Sequence, residues 1–280
     1  MIKRRMIDEE KVIQYYLFPH SLKETCKYFH IGENRLKEIL NKNNIKPRTC
    51  GDMNKKYSYN KDFFINQSAN LAYVLGLMGA DGCIAQNTNQ IYIELQQQDA
   101  EILDKIVEKL ELTRPVKYYT TKTGYKNAKI YIEDKWLKNV LITRWGLCPN
   151  KTYNIDNFHF PTKLDKKYWK DYIRGYFDGD GCIKDSNQTI TFQIDGSNKK
   201  ILETMKNYLE STLDIKMQIE IKQPKENRLT NKDLTIPLYR LYCYGNNARQ
   251  IFNFIYSSNM ELFLNRKYQK FIQYKEKNGI

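Results

Sequence analysis

Two segments of the sequence carry the same short motif, and the motif could bring two carboxylates to one place. It reads VLGLMGADGCI over residues 74–84 and IRGYFDGDGCI over residues 173–183, so that Asp81 and Asp180 are equivalent. Aspartate oxygens are preferred ligands of hard divalent cations such as Mg²⁺. Paired metal ions held by such ligands activate water and stabilise the leaving oxygen in phosphodiester hydrolysis. The repeated motif therefore suggests metal-dependent chemistry on a nucleic acid.

The residues before each aspartate indicate how the two carboxylates would meet. Small residues recur four positions apart, as Gly76 and Ala80 in the first copy and Gly175 and Gly179 in the second. On an α-helix this spacing makes a strip of small residues along one face, which lets two helices approach backbone to backbone. Asp81 and Asp180 would then repel each other at two helix C-termini, where the helix dipole also disfavours them. A divalent cation between them, completed by phosphate oxygens and water, would relieve this repulsion.

The motif also has a purely structural interpretation. Asp-Gly after an apolar helix is a common helix stop, with glycine in the left-handed position. A single copy would most often be structural. Two copies in similar surroundings, within a basic chain, favour function.

The repetition extends beyond the motif and predicts a duplicated α/β unit. An alternating strand and then an amphipathic helix follow each copy, at residues 91–98 and 101–110 and at residues 189–197 and 200–209. Further strands are predicted at residues 116–121, 129–133, 216–222 and 238–244. Alternation of apolar and polar residues is typical of an antiparallel sheet with one face on the core. The polar faces are left to contact a partner.

Charge and composition limit the classes of partner. Lysine and arginine total 46 against 32 acidic residues, a formal net charge of +14. Such an excess favours a polyanion, most commonly nucleic acid, although a solvated basic surface is the alternative. The longest apolar stretch, residues 71–80, is too short to span a bilayer, and no secretory signal precedes it. We therefore expect an intracellular protein without a membrane partner.

The first 46 residues differ from the rest and predict a small all-α module. Helices are predicted at residues 8–17, from Ser21 onward, and at residues 33–43, with His30 in the turn between the last two. This spacing is typical of a helix-turn-helix DNA-binding unit, and a structural three-helix cap is the alternative. The predicted domains are residues 1–46, a linker at 47–64, and two halves at 65–165 and 166–280.

The two motifs resemble the signature helices of the LAGLIDADG homing endonucleases, over about residues 65–280. The resemblance implies an α+β fold with two pseudo-symmetric αββαββα halves whose antiparallel sheets bind DNA. It also implies that Asp81 and Asp180 bind Mg²⁺, with Mn²⁺ as a substitute. Asp178, where the first copy has Gly79, is then interpreted as structural.

The resemblance extends to further candidate site residues. Lys151 and Lys267 match lysines that the family assigns to the phosphate or the attacking water, with solvated or simple phosphate-contacting lysines as the alternative. Gln96 and Asp195 match polar residues that hold active-site solvent. Gly82 and Gly181, which follow the two aspartates, are included with them as predicted metal ligands.

Candidate DNA-contacting residues come from the polar strand positions and from the third helix of the front module. Long polar side chains can reach base edges in the major groove, while lysines neutralise phosphates. The predicted set comprises Tyr92, Glu94, Gln98, Thr191, Gln193, Arg240 and Tyr242 in the halves, and Asn34, Arg35, Lys37 and Asn41 in the module.

The sequence thus predicts a monomeric, site-specific double-strand DNA endonuclease of the intron-homing type. Its expected target is a long, partly pseudo-palindromic duplex, and the family resemblance implies that both strands are cut to leave short 3′ overhangs. Two alternatives use the same fold: a DNA-binding regulator that no longer cuts, and an RNA maturase that helps an intron fold. Loss of either aspartate would favour the regulator, and both are present.

Overall fold

The computed structural model describes residues 7–17, 20, 22–45, 47, 57–186, 189–222, 237–257 and 259–279. The chain forms two compact units, residues 1–58 and residues 59–280. Ser21, the predicted helix cap, lies outside the described residues, as does much of the predicted linker. No helix within the described ranges is both long and apolar enough to cross a membrane.

The first unit contains three short helices around a small apolar core. They are α1 (Glu9–Leu17), α2 (Leu22–Phe29) and α3 (Glu33–Lys42). His30 follows α2 with a φ of 51°, the left-handed conformation that histidine tolerates better than most residues. The buried hydrophobic side chains of the described residues come from α1 and α3: Val12, Tyr16, Leu36, Ile39 and Leu40.

The second unit contains two halves with the same order of elements, which confirms the predicted α+β fold. The first half comprises α4 (Ala69–Ala80), β1 (Gly82–Ile84), β2 (Gln90–Gln96), α5 (Glu101–Lys109), β3 (Lys117–Thr120), β4 (Lys126–Glu133) and α6 (Lys135–Thr143). The second comprises α7 (Trp169–Asp180), β5 (Gly181–Ser186), β6 (Thr189–Gly196), α8 (Lys199–Leu213), β7 (Gln218–Lys222), β8 (Leu238–Tyr244) and α9 (Gly245–Ile255). A last helix, α10 (Asn265–Asn278), follows.

Each half forms one four-stranded antiparallel sheet, with orders β1-β2-β4-β3 and β5-β6-β8-β7. In β2, Ile91 and Ile93 point into the core, whereas Tyr92, Glu94 and Gln96 alternate with them on the other face. The period of two predicted from the sequence therefore sets which residues can face a partner.

The two motif helices, α4 and α7, pack on each other through their small residues. A Cβ atom added to Gly76 would lie 2.0 Å from the carbonyl oxygen of Tyr172, and one added to Gly175 would lie 2.0 Å from that of Tyr73. Both distances are far below van der Waals contact, so the backbones touch only because these residues are glycines. This close packing places the C-terminal ends of α4 and α7 side by side.

Asp178, a buried residue of α7, forms hydrogen bonds that connect this helix to its neighbours. Its buried carboxylate accepts hydrogen bonds from the hydroxyls of Tyr73 (2.8 Å) and Tyr256 (2.6 Å) and from the backbone N–H of Leu264 (2.7 Å). Desolvation raises the pKa of Asp178, and these donors oppose that shift. Since Tyr73 belongs to α4 and Leu264 caps α10, one side chain joins three helices.

Replacing Asp178 with alanine is expected to destabilise the fold by about 3 kcal/mol or more, because each buried donor left unpaired costs about 1–3 kcal/mol. Urea unfolding followed by circular dichroism measures the effect. Tyr256→Phe removes one of the three hydrogen bonds and should cost about 1 kcal/mol. An Asp178→Ala variant as stable as the wild type would contradict the structural role.

Candidate metal centre and nucleic-acid surface

The ends of α4 and α7 bring the two motif aspartates into one site. Asp81 directly follows α4, and Asp180 is the last residue of α7. Gly179 lies against Asp81: a Cβ atom added to this glycine would be 2.8 Å from Oδ2 of Asp81. Asp81 is half-buried, whereas Asp180 is exposed. The helix interface that the glycines permit is therefore what positions the pair.

The two carboxyl groups are hard to ionise in this position. Desolvation, together with the negative charge of Asp81, raises the pKa of Asp180 to about 6, against the opposing charges of Lys151 and Lys267. Desolvation also raises the pKa of Asp81, against the opposing charges of the same two lysines. Closely placed carboxylates whose pKa values are raised bind a divalent cation readily, since the cation removes their repulsion.

Lys151 and Lys267 occupy equivalent places beside the aspartates. Lys151 donates to the carbonyl oxygen of Gly82. Lys267 donates to the carbonyl oxygens of Phe177 (2.7 Å), Gly179 (3.1 Å) and Gly181 (2.6 Å). Desolvation lowers the pKa of Lys267 to about 8 and lowers that of Lys151. Each ammonium group thus holds the end of one motif helix and adds positive charge near both aspartates.

The donor set fits a divalent cation that is only partly coordinated by protein. Within the described part of the chain, no three His, Cys, Asp or Glu side chains lie close enough together to hold a metal ion. Asp81 and Asp180 would supply two hard oxygen ligands to such a cation, which takes six or more. The remaining positions fall to water and phosphate oxygens, as expected for a site completed by its substrate.

The predicted ligands Gly82 and Gly181 are already engaged through their carbonyl oxygens. Each of these oxygens accepts an ammonium group, from Lys151 and Lys267 respectively. A metal ion would compete with that ammonium charge. The two carboxylates are therefore the better-placed ligands.

Gln96 and Asp195 lie at matched strand ends but in different surroundings. Gln96 is exposed, lines a cavity of about 710 Å³ that also contains Asp81, and accepts a hydrogen bond from Gln98 at 2.9 Å. Asp195 is bound by Arg240 (2.9 Å) and Lys222 (2.8 Å). Gln96 can therefore orient solvent beside the metal centre, whereas Asp195 is committed to an ion-pair cluster.

The predicted DNA-contacting residues of the first sheet, Tyr92, Glu94 and Gln98, are at least partly exposed. The Lys129 ammonium lies 3.4 Å from the ring centroid of Tyr92, and Asn127 donates to Glu94 at 2.8 Å. Gln98 lies in a short 3-10 turn that follows β2, so it lies beyond the end of the strand and not on the face of the sheet. Asn127 and Lys129, which the sequence did not single out, lie opposite Gln96 and Glu94 on β4.

The corresponding residues of the second sheet are less accessible than their alternation predicts. Thr191 and Gln193 are only 9% and 8% exposed, and Gln193 donates to Asp195 at 3.2 Å. Arg240 pairs with Asp195 and Glu220, and Tyr242 donates to Glu220 at 3.1 Å. Thr191 and Gln193 therefore offer little exposed surface for direct contact with bases.

The four predicted DNA-contacting residues of the first unit all lie on α3. Asn34, Arg35 and Asn41 are exposed, and Lys37 is half-buried. Arg35 pairs with Glu9 (3.4 Å) and Glu38 (3.1 Å), while Lys37 lies 3.9 Å from Glu33. Ion pairs this exposed contribute little and can be exchanged for phosphate contacts.

Three comparisons with known proteins bear on this site. The family model for the LAGLIDADG-like domain matches residues 170–256. An uncharacterized protein of Methanocaldococcus jannaschii is 24% identical over 238 residues, covering 80% of this chain and 79% of that protein. The NrdEB alpha subunit of ribonucleoside-diphosphate reductase from Bacillus subtilis is 23% identical over 137 residues, 45% of this chain but 12% of that protein.

Among solved structures, the meganuclease I-SmaMI bound to uncleavable DNA aligns with a TM-score of 0.44 at 13% identity, covering 72% of this chain and 88% of its own. The N-terminal LAGLIDADG domain of DUF199/WhiA aligns with a TM-score of 0.43 at 14% identity, covering 72% and 90%.

Two αββαββα halves, joined by paired helices that each end in an aspartate, define a two-motif α+β protein. Residues 170–256, which form most of the second half, match the family model of the LAGLIDADG-like domain.

Metal binding is expected to weaken as the pH falls through about 6. Below its pKa of about 6, Asp180 is protonated, and protons then compete with the metal for the carboxylate. Calorimetric titration of Ca²⁺ into the DNA-bound protein at pH 5.5 and pH 7.5 measures this dependence. Asp180→Asn should bind Ca²⁺ weakly at both values, and equal affinity of the wild type at both would contradict the assignment.

Proposed function

We propose that this protein is a site-specific endonuclease that hydrolyses both strands of a DNA duplex with divalent metal ions held by Asp81 and Asp180. The observation that carries the proposal is the convergence of these carboxylates where α4 and α7 end. A site poor in protein ligands but rich in negative charge suits a metal that also binds a phosphodiester. Mg²⁺ is the expected ion, with Mn²⁺ as a substitute.

The protein side chains around the metal have separate tasks. When bound, the divalent cation polarises the phosphate and lowers the pKa of water. Lys151 and Lys267 fix the ends of the motif helices and place positive charge where a phosphate would approach. Gln96 projects into the cavity beside Asp81 and is positioned to orient a water molecule. These residues prepare the site before the substrate arrives, which is the main source of electrostatic catalysis.

The two sheets would hold the DNA on either side of the cut. Each sheet presents polar side chains away from the core, and the chain has a net charge of +14. Lysine and arginine would contact phosphates and fix the position of the protein, and Glu94 and Asn127, which are hydrogen-bonded to each other on the first sheet, are proposed to read base edges. Because one chain supplies both halves, we propose that it acts as a monomer on a long, partly pseudo-palindromic site.

The first unit is proposed to bind DNA through α3 as a helix-turn-helix. Lys37→Ala is expected to weaken binding without moving the cut site, and to lower the slope of log affinity against log salt by about 1. Fluorescence anisotropy across a series of salt concentrations measures this slope. Lys27→Ala, an exposed position on α2, is the control and should leave it unchanged. An unchanged slope for Lys37→Ala would contradict the phosphate contact.

A randomised duplex library tests the proposal without knowledge of the target. The full-length protein is incubated with the library and Mg²⁺, and newly formed ends are captured and sequenced. We expect one long site with short 3′ overhangs to be recovered. Recovery of a bound but uncut site would favour the regulator, and binding restricted to structured RNA would favour the maturase.

A further inference from the structure

Arg266 and Asp99 form an ion pair between the two halves beside the metal centre. The guanidinium donates from Nε to Oδ1 of Asp99 at 3.0 Å and from Nη2 to Oδ2 at 2.9 Å. Asp99 is 8% exposed and precedes α5 of the first half, whereas Arg266 lies in the first turn of α10. A bidentate pair with one buried partner fixes the plane and direction of the arginine.

The exposed part of Arg266 faces the cavity that contains Asp81. The cavity of about 710 Å³ is lined by Asp81, Gln96, Asp99, Gly179 and Arg266, among others. The Arg266 side chain remains 43% exposed, and its third nitrogen, Nη1, donates to none of the described residues. A fixed guanidinium with an unused donor is well suited to bind one phosphate oxygen.

The equivalent positions in the other half carry no charge. Lys151 and Lys267 are structural counterparts, since each donates to the glycine carbonyl after a motif aspartate, and the residues before them are Asn150 and Arg266. Asn198 takes the place of Asp99, at the same distance from its motif aspartate.

These asparagines make other contacts. Asn198 donates to the carbonyl oxygens of Ile155 (3.0 Å) and Phe158 (2.7 Å), and Asn150 donates to Gln86 at 2.7 Å. Asn198 is therefore joined by neutral hydrogen bonds to the segment between α6 and α7, which contains Ile155 and Phe158. Asp99, by contrast, is joined to α10 by an ion pair. Of the two equivalent places, the one before Lys267 holds an arginine, and this arginine lines the same cavity as Asp81.

We propose that Arg266, oriented by Asp99, binds the scissile phosphate of one DNA strand only, so that this strand is cut before the other. This inference rests on the proposed endonuclease function. A guanidinium placed at a developing negative charge speeds a reaction by about 10²–10³-fold when it is preorganised. Arg266 would be a catalytic residue at one phosphate, and Asp99 a positioning residue that acts through it.

Strand-resolved cleavage tests the asymmetry. A duplex carrying the recovered site, with a different fluorophore on each strand, is cut by the full-length protein in Mg²⁺, and the two rates are measured separately. We expect the wild type to accumulate a nicked intermediate in which one strand is cut at least about tenfold faster. Arg266→Gln should slow that strand by about 100-fold or more and leave the other within about twofold, given the size of such contacts.

Variants of Asp99 test whether this residue orients Arg266 for cleavage or only holds the two halves together. Asp99→Asn should slow the same strand, and the double variant should be no slower than Arg266→Gln, because Asp99 acts only through the arginine. Arg266→Lys keeps the charge but loses the fork, so it should restore only part of the rate. Arg249→Gln, a half-buried arginine of α9 that bonds Asn246, is the control and should leave both rates unchanged.

The outcomes distinguish this inference from the function on which it rests. If the wild type cuts both strands but Arg266→Gln slows both equally or neither, the inference is overturned and the pair is only a brace between the halves. Equal strand rates in the wild type overturn it as well. If the wild type cuts neither strand, the proposed endonuclease function itself is wrong.

Discussion

Replacing either Asp81 or Asp180 with asparagine is expected to abolish DNA cleavage while leaving specific DNA binding intact. Asparagine keeps the size of the side chain but removes the negative charge that holds a divalent cation between the ends of α4 and α7. We expect the rate to fall by at least about 100-fold, the scale for removing one electrostatic stabiliser of a transition state. Cleavage and gel-shift assays on the recovered site measure the two properties separately.

Neither variant should lose stability, which makes the result easy to interpret. Because folding raises the pKa of Asp180 from 3.8 to about 6, its ionisation lowers the stability of the metal-free protein as the pH rises between these values, and the loss is complete at higher pH. Asp180→Asn is therefore expected to unfold at the same or a slightly higher temperature at pH 7.5. Asp185→Asn, an exposed carboxylate on β5, is the matched control and should cut normally. Wild-type cleavage by either aspartate variant would refute the metal site.

Replacing Gly175 with alanine is expected to disrupt the interface between α4 and α7. The added Cβ would lie 2.0 Å from the carbonyl oxygen of Tyr73 and 2.9 Å from the backbone nitrogen of Leu77. These are backbone atoms within a packed helix, so the two helices must separate to accept one methyl group. Overpacking of this kind costs about 3 kcal/mol or more when no flexible side chain can yield.

Urea unfolding of Gly175→Ala measures this cost, and cleavage should be lost with the fold or with the spacing of the aspartates. Gly196→Ala is the matched control, because its added Cβ would meet its nearest neighbour, the Tyr176 hydroxyl, at 3.4 Å. That substitution should change stability by less than about 1 kcal/mol. A Gly175→Ala variant with wild-type stability would mean that the two helices are less closely packed than the structure indicates.

The parts of this site that the sequence predicted depend on local patterns. Glycines four residues apart indicated a close helix contact, and that contact brings Asp81 and Asp180 together whatever the rest of the chain does. The period-two alternation likewise predicted the polar face of β2, with Tyr92 and Glu94 on it. Because helices and strands have regular geometry, the spacing of residues along the sequence determines which face of the element each side chain occupies.

The parts that the sequence could not predict depend on distant partners. Thr191 and Gln193 have the alternation of exposed strand residues, yet both are buried in β6, which is paired on one side with β5 and on the other with β8. From the sequence, Arg240 is predicted to contact bases. The strand register places it opposite Asp195, with which it forms an ion pair. The Arg266–Asp99 pair joins residues 167 positions apart, and only the docking of α10 brings them together.

Direct titration of Mg²⁺ into a cleavage reaction tests the central claim most directly. The wild-type protein is bound to its recovered duplex site in metal-free buffer, and both strands are followed as Mg²⁺ is added. We predict no cutting without metal and cleavage of both strands that rises with Mg²⁺ and saturates. A site that is bound tightly but stays uncut at every concentration of Mg²⁺ or Mn²⁺ would contradict the proposal and leave a DNA-binding protein without nuclease activity.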